Sequence, residues 1–487
     1  MSTARPTTAG TVLALLDAAA AREPARRAVA DEHVTIDYGT LAERVAATAT
    51  ALRGVGIGRG DRVAIVLPNS VAFVDAWLGV LASGAAALPL PAGARTAELR
   101  RLLAETNAAA IVTGSDDDRA LAPIRLAVDA RGVHVATASS GRTSRTIAGG
   151  PVPDDPALVA FSSGTTARPH VVARSHANLW WEAENFARAT RLGPDDVVLG
   201  VVPLSHAHGL GNALLAALRA GATLLLRPRF LRRQVLELLA AERVTTFPAV
   251  PFMLRMLAAT DRRRHFDLGA LRLCLSAGAP LPREVFDAFA DRFGVRVRQL
   301  YGLTEAGSVT CDLAPPDTVD PGTVGTPLGT VVVTVEDDQG RALPAGTPGE
   351  IVVRSPAVEG GDGRALRTRD LGALDPSGRL TITGRTSLFI NTAGNKVDPA
   401  EVEAALRAHP AVADVAVFGL AAAHDEQIVA AVVVLANDAR TTTAEILRAH
   451  CRELLAPHKI PRVLSFRPAL PRSALGKVLI GRLLAEA

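Results

Sequence analysis

The sequence predicts an α/β protein, with a large N-terminal domain of layered α/β subdomains, a small β-rich subdomain and a small α+β C-terminal domain. Three observations predict it. The chain has 487 residues, too many for one compact core. Short apolar runs alternate with helical periodicity through roughly its first two thirds. After about residue 322 the texture changes to β-like runs between turns.

Residues 11–21 read as a short helix, and 40–52 as a second with Leu41, Val45, Ala46 and Leu52 at helical spacing. A turn at 54–61 leads to an apolar strand at 62–67, a helix at 72–81 and a strand at 86–90. Strand-like runs recur at 109–113, 197–202, 223–226 and 271–276 with helices between them, as largely parallel sheets require. Further on, β-like runs at 331–336, 350–353 and 380–382 are separated by turns such as Asp337-Asp338-Gln339-Gly340 and Asp375-Pro376-Ser377-Gly378. From Pro399 the order is helix, strand, strand, helix, strand, at 400–408, 412–419, 427–435, 443–455 and 462–466. The expected division is a large domain at 1–384, a hinge at 385–387 and a small domain at 388–487.

Composition narrows the function class. With 48% hydrophobic and 21% charged residues the chain is neither collagenous, disulfide-built nor disordered. A net charge of +4 without a basic tract gives no support to nucleic-acid binding. Of 53 basic residues, only Lys396, Lys459 and Lys477 are lysines, so a lysine marks a place where a compact ammonium is needed. Cys274, Cys311 and Cys451 are odd in number and lack CxxC spacing, which points to a reducing compartment. Residues 1–10 lack the apolar core of a signal peptide. The uncharged run 76–94 is broken by Gly79, Gly84, Pro89 and Pro91, so it reads as helix, turn and strand rather than a membrane span. A cytoplasmic protein is expected.

Four motifs carry chemistry. Phe161-Ser162-Ser163-Gly164-Thr165-Thr166-Ala167-Arg168-Pro169-His170 leaves an apolar strand, and hydroxyls around a glycine offer donors to a phosphate. It lacks Walker A spacing, and taken alone it also reads as an ordinary turn. In Gln299-Leu300-Tyr301-Gly302-Leu303-Thr304-Glu305, an aromatic face can stack on a purine, a hydroxyl can bind phosphate and a carboxylate can hold Mg²⁺. The plainer reading is a strand end before a helix. Arg369-Asp370-Leu371-Gly372, near Thr383-Gly384-Arg385, offers a carboxylate to both hydroxyls of a ribose, or else forms a surface salt bridge worth little. Leu470-Pro471-Arg472-Ser473-Ala474-Leu475-Gly476-Lys477 is a loop whose ammonium can enter a site when its domain docks, or a solvated loop. His206 and His208, read on a strand, face one way like a metal pair, but no third ligand lies nearby. No GxSxG elbow is present for a serine hydrolase.

In this order the motifs resemble the adenylate-forming superfamily: acyl-CoA synthetases, peptide-synthetase adenylation domains and luciferases. The resemblance runs from Asp37-Tyr38-Gly39-Thr40-Leu41 and Gly60-Asp61-Arg62-Val63-Ala64-Ile65 to Gly476-Lys477. It implies that Ser162, Ser163, Gly164, Thr165 and Thr166 cradle the ATP phosphates. Gly278, Ala279 and Pro280 would lie beside the adenine, with Tyr301 on its other face and Gly302 next to it. Thr304 would bind phosphate, Glu305 would hold Mg²⁺, and Asp370 would hold the ribose with Arg385 assisting. His206 would line the path to the acyl site. Lys477 would bridge the carboxylate and the α-phosphate, so that Lys477, Thr304, Glu305 and His206 form the implied catalytic set. The small C-terminal domain is implied to be mobile, rotating to withdraw the lysine and open a thiol tunnel past Gly394.

Electrostatics agrees with that implication. A carboxylate attacking an α-phosphate brings two anions together, and an inserted ammonium with Mg²⁺ offsets the repulsion where charge builds. Alignment of the reactants supplies the rest.

Residues 244–251 should run by the acyl pocket, and they contain no acid to pair an amine, which favours an acyl or aryl acid over an α-amino acid. The expected walls are His206, Ala249, Ser276, Ala277, Gly278 and Leu300, mostly small. The expected reaction is ATP-dependent activation of a small carboxylic acid to an acyl-adenylate, then thioester formation with CoA. A carrier-protein phosphopantetheine is the alternative acceptor.

Three regions depart from the family's pattern. His170 and Ala167 stand where lysine and glycine are usual. Gly384-Arg385-Thr386-Ser387-Leu388 lacks the usual Asp or Lys pivot, and Asn391 replaces a frequent lysine. A partly protonated histidine substitutes only weakly for a lysine. These departures leave open a degenerate, non-catalytic binder of nucleotide or acyl-AMP.

Overall fold

The computed structural model describes residues 9–94, 96–114, 122, 124–129, 132–138, 150–162, 170–261, 263–361, 364–385, 390–392, 395–421, 427–436, 439, 441–455, 457–472 and 478–485. Several of its helices start where short polar side chains satisfy free N–H groups. Thr11 accepts from the Ala14 N–H at the head of Val12–Arg22, and Asp37 from the Thr40 N–H at the head of Tyr38–Gly54. Ser70 does the same for Val71–Ser83, which ends on Gly84 in the left-handed conformation, φ 91°. That last helix is apolar nearly all round and buried on almost every side. At Gly79, an added Cβ would lie 2.2 Å from Thr48 Cγ2, so the helices Tyr38–Gly54 and Val71–Ser83 meet almost backbone to side chain. Beside that contact the buried Asp75 accepts from Thr48 Oγ1 at 2.8 Å and from Arg44 Nε at 3.1 Å.

Among the described residues the strands form two large sheets. The nine-stranded sheet runs in the order Thr326–Pro327, Gly307–Cys311, Val297–Leu303, Leu273–Ser276, Thr246–Ala249, Val197–Gly200, Thr223–Leu226, Arg27–Ala30, Thr35–Asp37. Its central pairings are parallel and its edges antiparallel. The seven-stranded sheet has the order Gly132–Ala138, Ile124–Asp129, Ala110–Gly114, Arg62–Val66, Ala86–Pro89, Pro156–Ser162, His170–Ser175, again parallel inside. One apolar cluster joins them: Ile65 and Val112 from one sheet, Val198 and Leu224 from the other, and Leu41, Phe73 and Trp77 from the helices between.

The chain then builds an antiparallel sheet of four strands, Val332–Glu336, Gly349–Arg354, Ala365–Leu374 and Leu380–Arg385, with its own core around Ile351, Val353 and Leu380. Ile390 already belongs to another core, with Val402, Val417 and Leu447. That core is covered by Pro399–Arg407 and Ala444–Leu454 over the strands Val412–Ala421, Gln427–Leu435 and Val463–Phe466.

Thr223–Leu226 and Gln427–Leu435 fall where the sequence puts them. Among the features that differ, two bear on the site. Ala365–Leu374 is a ten-residue strand with no counterpart in the sequence reading. Residues 207–209 are helical, not extended, so His206 and His208 do not share a strand face. No helix is long and apolar enough to cross a membrane among the described residues.

His176 opens the helix His176–Ala189 behind a Ser175–Asn178 capping box, and its Nδ1 accepts from the Val12 N–H at 3.3 Å. The ring is 1% exposed, and burial pulls its pKa down from 6.5 to about 4, with Asp155 opposing. The folded state therefore holds this ring neutral while the unfolded chain takes up a proton between those values. Stability is full above about pH 6.5 and falls as pH drops towards 4, a loss on the order of 3 kcal/mol from this group. His176→Asn retains an acceptor without the titration. Its unfolding midpoint should fall less between pH 7 and 5 than that of the parent, and equal falls would refute the assignment.

Candidate active site

The parallel register gathers one end of several strands at a common level. Ala249 pairs with Ser276, and Ser276 with Gln299, so the residues that follow these strands emerge together at the strand ends, where open parallel sheets have their crevice. The expected wall residues Ala249, Ser276, Ala277 and Leu300 are all buried there. The Ser276 hydroxyl, on a residue 2% exposed, has no hydrogen-bond partner among the described residues. Gly278, Ala279 and Pro280 are exposed, and Gly278 turns the chain at φ 84°, which a side chain would strain.

Two sequence motifs meet in a buried hydrogen bond. Tyr301 Oη donates to Asp370 Oδ2 at 2.6 Å, and the Asp370 N–H donates to Thr368 Oγ1 at 3.1 Å. Asp370 is 2% exposed, so it is a desolvated carboxylate with a fixed donor rather than a group at the surface. The preceding Arg369 has φ 60°, strained for a residue with a side chain, and the register shifts between Leu371 and Gly372. Arg385 stands opposite Asp370 in the backbone register. Gly302 is required beside Tyr301 because a Cβ there would lie 2.6 Å from the Gly307 carbonyl oxygen.

Thr304 and Glu305 occupy the turn between the strands Val297–Leu303 and Gly307–Cys311. The Glu305 carbonyl accepts from the Glu359 N–H at 2.7 Å, and the Glu359 carboxylate accepts from the Ala173 N–H at 3.0 Å. The Glu305 carboxylate and Thr304 hydroxyl are partly buried and bond to no described residue, which suits a carboxylate that takes Mg²⁺ and a hydroxyl that takes phosphate.

Behind this turn lies a buried ion pair that the sequence reading missed. Arg174 Nη1 donates to Glu182 Oε2 at 2.5 Å, with side chains 1% and 2% exposed. Arg174 Nη2 also donates to the carbonyls of Asn178 and Ala357, and Asn178 Nδ2 to those of Pro356 and Val358. The Glu182 carboxylate fills the space beside Gly211 and Gly307. A Cβ would come within 2.0 Å of Oε1 at Gly211 and within 2.2 Å of Cδ at Gly307.

His206 caps the short helix Ala207–Gly209, which runs into a π-helical turn, Leu210–Leu215. His208 Nε2 donates to the Ala249 carbonyl at 3.0 Å. Asn212 Nδ2 donates to His208 Nδ1 at 2.8 Å, and Ser308 Oγ to Asn212 Oδ1 at 2.7 Å. Burial pulls the His208 pKa down to about 4, and it lowers that of His206 too. Both ring nitrogens of His208 are thus engaged. No cluster of three or more His, Cys, Asp or Glu fit for a metal occurs among the described residues.

Ser163, Gly164, Thr165, Thr166, Ala167, Thr386, Ser387, Gly394 and Lys477 lie outside the described residues. For Ser162, His170, Arg385 and Asn391 the backbone alone is described, with Ser162 opposite His170 in an antiparallel pair.

Sheet order and the place of the crevice define an adenylate-forming enzyme. The chain belongs to the AMP-binding enzyme family, which matches residues 16–361, and the AMP-binding enzyme C-terminal domain matches residues 401–477. A feruloyl-CoA synthase from an Amycolatopsis species is 32% identical over 491 residues, covering 94% of this chain and 97% of its own. A sulfoacetate–CoA ligase from Cupriavidus necator is 31% identical over 487 residues, covering 94% of each. The crystal structure of ATP-bound MatB from Rhodopseudomonas palustris superimposes with a TM-score of 0.81 at 28% identity, covering 97% of this chain and 98% of that one.

Gly307→Ala tests the seat of Glu182. It combines a left-handed backbone, φ 69°, with a collision against a buried carboxylate that cannot leave its arginine. A stability loss of about 3 kcal/mol or more is expected from the urea unfolding midpoint. A loss below about 1 kcal/mol would show that Glu182 has room to move.

Proposed function

We propose that this acid–thiol ligase activates a carboxylic acid with ATP and passes the acyl group to CoA. In the first step a carboxylate oxygen bonds to the α-phosphorus and pyrophosphate leaves. In the second the CoA sulfur bonds to the acyl carbon, AMP leaves, and the thiol proton passes to solvent.

The buried Tyr301–Asp370 pair carries this reading. A desolvated carboxylate oriented by a phenol donor is proposed to accept from the two hydroxyls of a ribose, with Arg385 assisting. Adenine is assigned to the rim at Gly278, Ala279 and Pro280. The phosphates are assigned to Ser162, Ser163, Gly164, Thr165, Thr166 and Thr304. Glu305 would hold Mg²⁺, which neutralises phosphate charge. Lys477 is proposed as the ammonium between the two anions, delivered by a small domain at 388–487 that pivots at 385–387, with Gly394 beside the thiol path. The separate cores around Leu380 and Ile390 support that division.

The acid is proposed to lie against His206, Ala249, Ser276, Ala277, Gly278 and Leu300. Relatives named for feruloyl-CoA and for sulfoacetate are almost equally similar, so overall identity does not choose the substrate. Small walls and the absence of an acidic residue at 244–251 favour an acyl or aryl acid over an amino acid. Three buried, unpaired cysteines support a cytoplasmic setting.

ATP–pyrophosphate exchange over a panel of acids tests the reading. Exchange with at least one acid is expected. Lys477→Ala should cut it about a hundredfold or more while AMP binding stays within about threefold. Tyr301→Phe should weaken AMP binding by about tenfold, the value of one hydrogen bond to a charged group. AMP binding without exchange for any acid would identify a binder. Thioester formed on a phosphopantetheine carrier but not on CoA would replace the acceptor.

A further inference from the structure

The sequence suggests no role for His208 once a metal pair is set aside, yet its surroundings are the most completely specified in the crevice. The Ala249 carbonyl ends its strand, because Pro251 follows at the head of the helix Pro251–Ala258. It receives two donors, the Ala277 N–H at 3.2 Å and His208 Nε2–H at 3.0 Å. One donor belongs to the sheet. The other comes from outside it and decides how the last peptide of this wall is turned.

A neutral ring has one arrangement in which every partner is satisfied. A carbonyl only accepts, so Nε2 must carry the proton and Nδ1 must accept from Asn212. Asn212 Oδ1 then accepts from the Ser308 hydroxyl. The hydrogens run one way, from Ser308 through Asn212 and His208 to Ala249. The opposite neutral tautomer would turn a ring lone pair towards a carbonyl oxygen. Asn212 reaches the ring because it lies four residues on, within the π-helical turn. Ser308 lies on the strand that follows Thr304 and Glu305. None of the four residues forms the Tyr301–Asp370 hydrogen bond.

We propose that His208 is a positioning residue for the acid substrate: as a neutral Nε2–H imidazole locked by Asn212 and Ser308, it fixes the Ala249 end of the acid pocket and thereby contributes to the choice of acid. The proposal rests on the reading of this crevice as an acid-activating site. Its consequence is a split between the two substrates, with acid binding sensitive to the chain and ATP binding indifferent to it.

Two measurements on the full-length protein test it. With ¹⁵N-labelled histidine at neutral pH, one imidazole should show the Nε2–H tautomer and vanish in His208→Gln. An Nδ1–H form for that ring overturns the proposal without reference to turnover. Kinetics uses the acid that best supports pyrophosphate exchange. His208→Leu should raise the KM for acid about tenfold or more with the KM for ATP within about twofold. His208→Gln, whose amide N–H can still reach Ala249, should stay within about threefold of the parent. If His208→Leu does not fold, Ser308→Ala carries the same test, with an acid KM raised about threefold and the ATP value unmoved. Both constants rising together, or neither moving, overturns the positioning role alone. Absence of exchange with every acid overturns the functional reading and the role in acid choice with it, whatever the tautomer.

Discussion

Parallel pairing is the constraint on which the crevice depends. Ala249, Ser276 and Gln299 are neighbours across three strands, so a slip of one residue in any of them would turn its wall side chain to the opposite face. The strands are short and buried, with little to hold their register except packing. The apolar cluster of Phe247, Cys274 and Val297 on one face therefore has to be well packed before any ligand chemistry is possible.

The second requirement is that the loops beyond these strands keep their places. That work falls to buried polar groups, Arg174 among them, whose two terminal nitrogens are both bonded. Arg174 and Glu182 are removed from water together, and their ion pair adds little to stability relative to an apolar pair of the same shape. What it supplies is definition: Arg174 binds the Ala357 carbonyl while Glu182 packs on Gly211 and Gly307. The same segment reaches Glu305 through Glu359. Mispairing at any point would leave a charge or a carbonyl unsatisfied indoors, which penalises alternatives more than it rewards the native form.

Much of the architecture was legible in sequence, and the exceptions share a cause. Past its first residue Gln427–Leu435 is wholly apolar, with Asp425-Glu426 before it and Asn437-Asp438 soon after, so its limits could be read directly. Ala365–Leu374 could not, because Arg367, Arg369 and Asp370 crowd it with charge and the left-handed Arg369 breaks the alternation. Sequence alone left its Asp370 open between a ribose carboxylate and a surface salt bridge, since the phenol that buries it lies 69 positions away. The histidines failed for another reason: a spacing of two suggests a strand, whereas a helical turn and a π-bulge set their true geometry. Arg174 and Glu182 belong to no period at all, being a strand residue and a helix residue on either side of a cap. Periodicity reveals what faces a core; it does not reveal which distant polar groups will meet there.

Thr48 set against Gly79 has a mechanical meaning. Two helices touching that closely cannot slide past one another, because any shift drives a methyl group into backbone. The contact acts as a dowel between the two helices, fixing their offset along the axis.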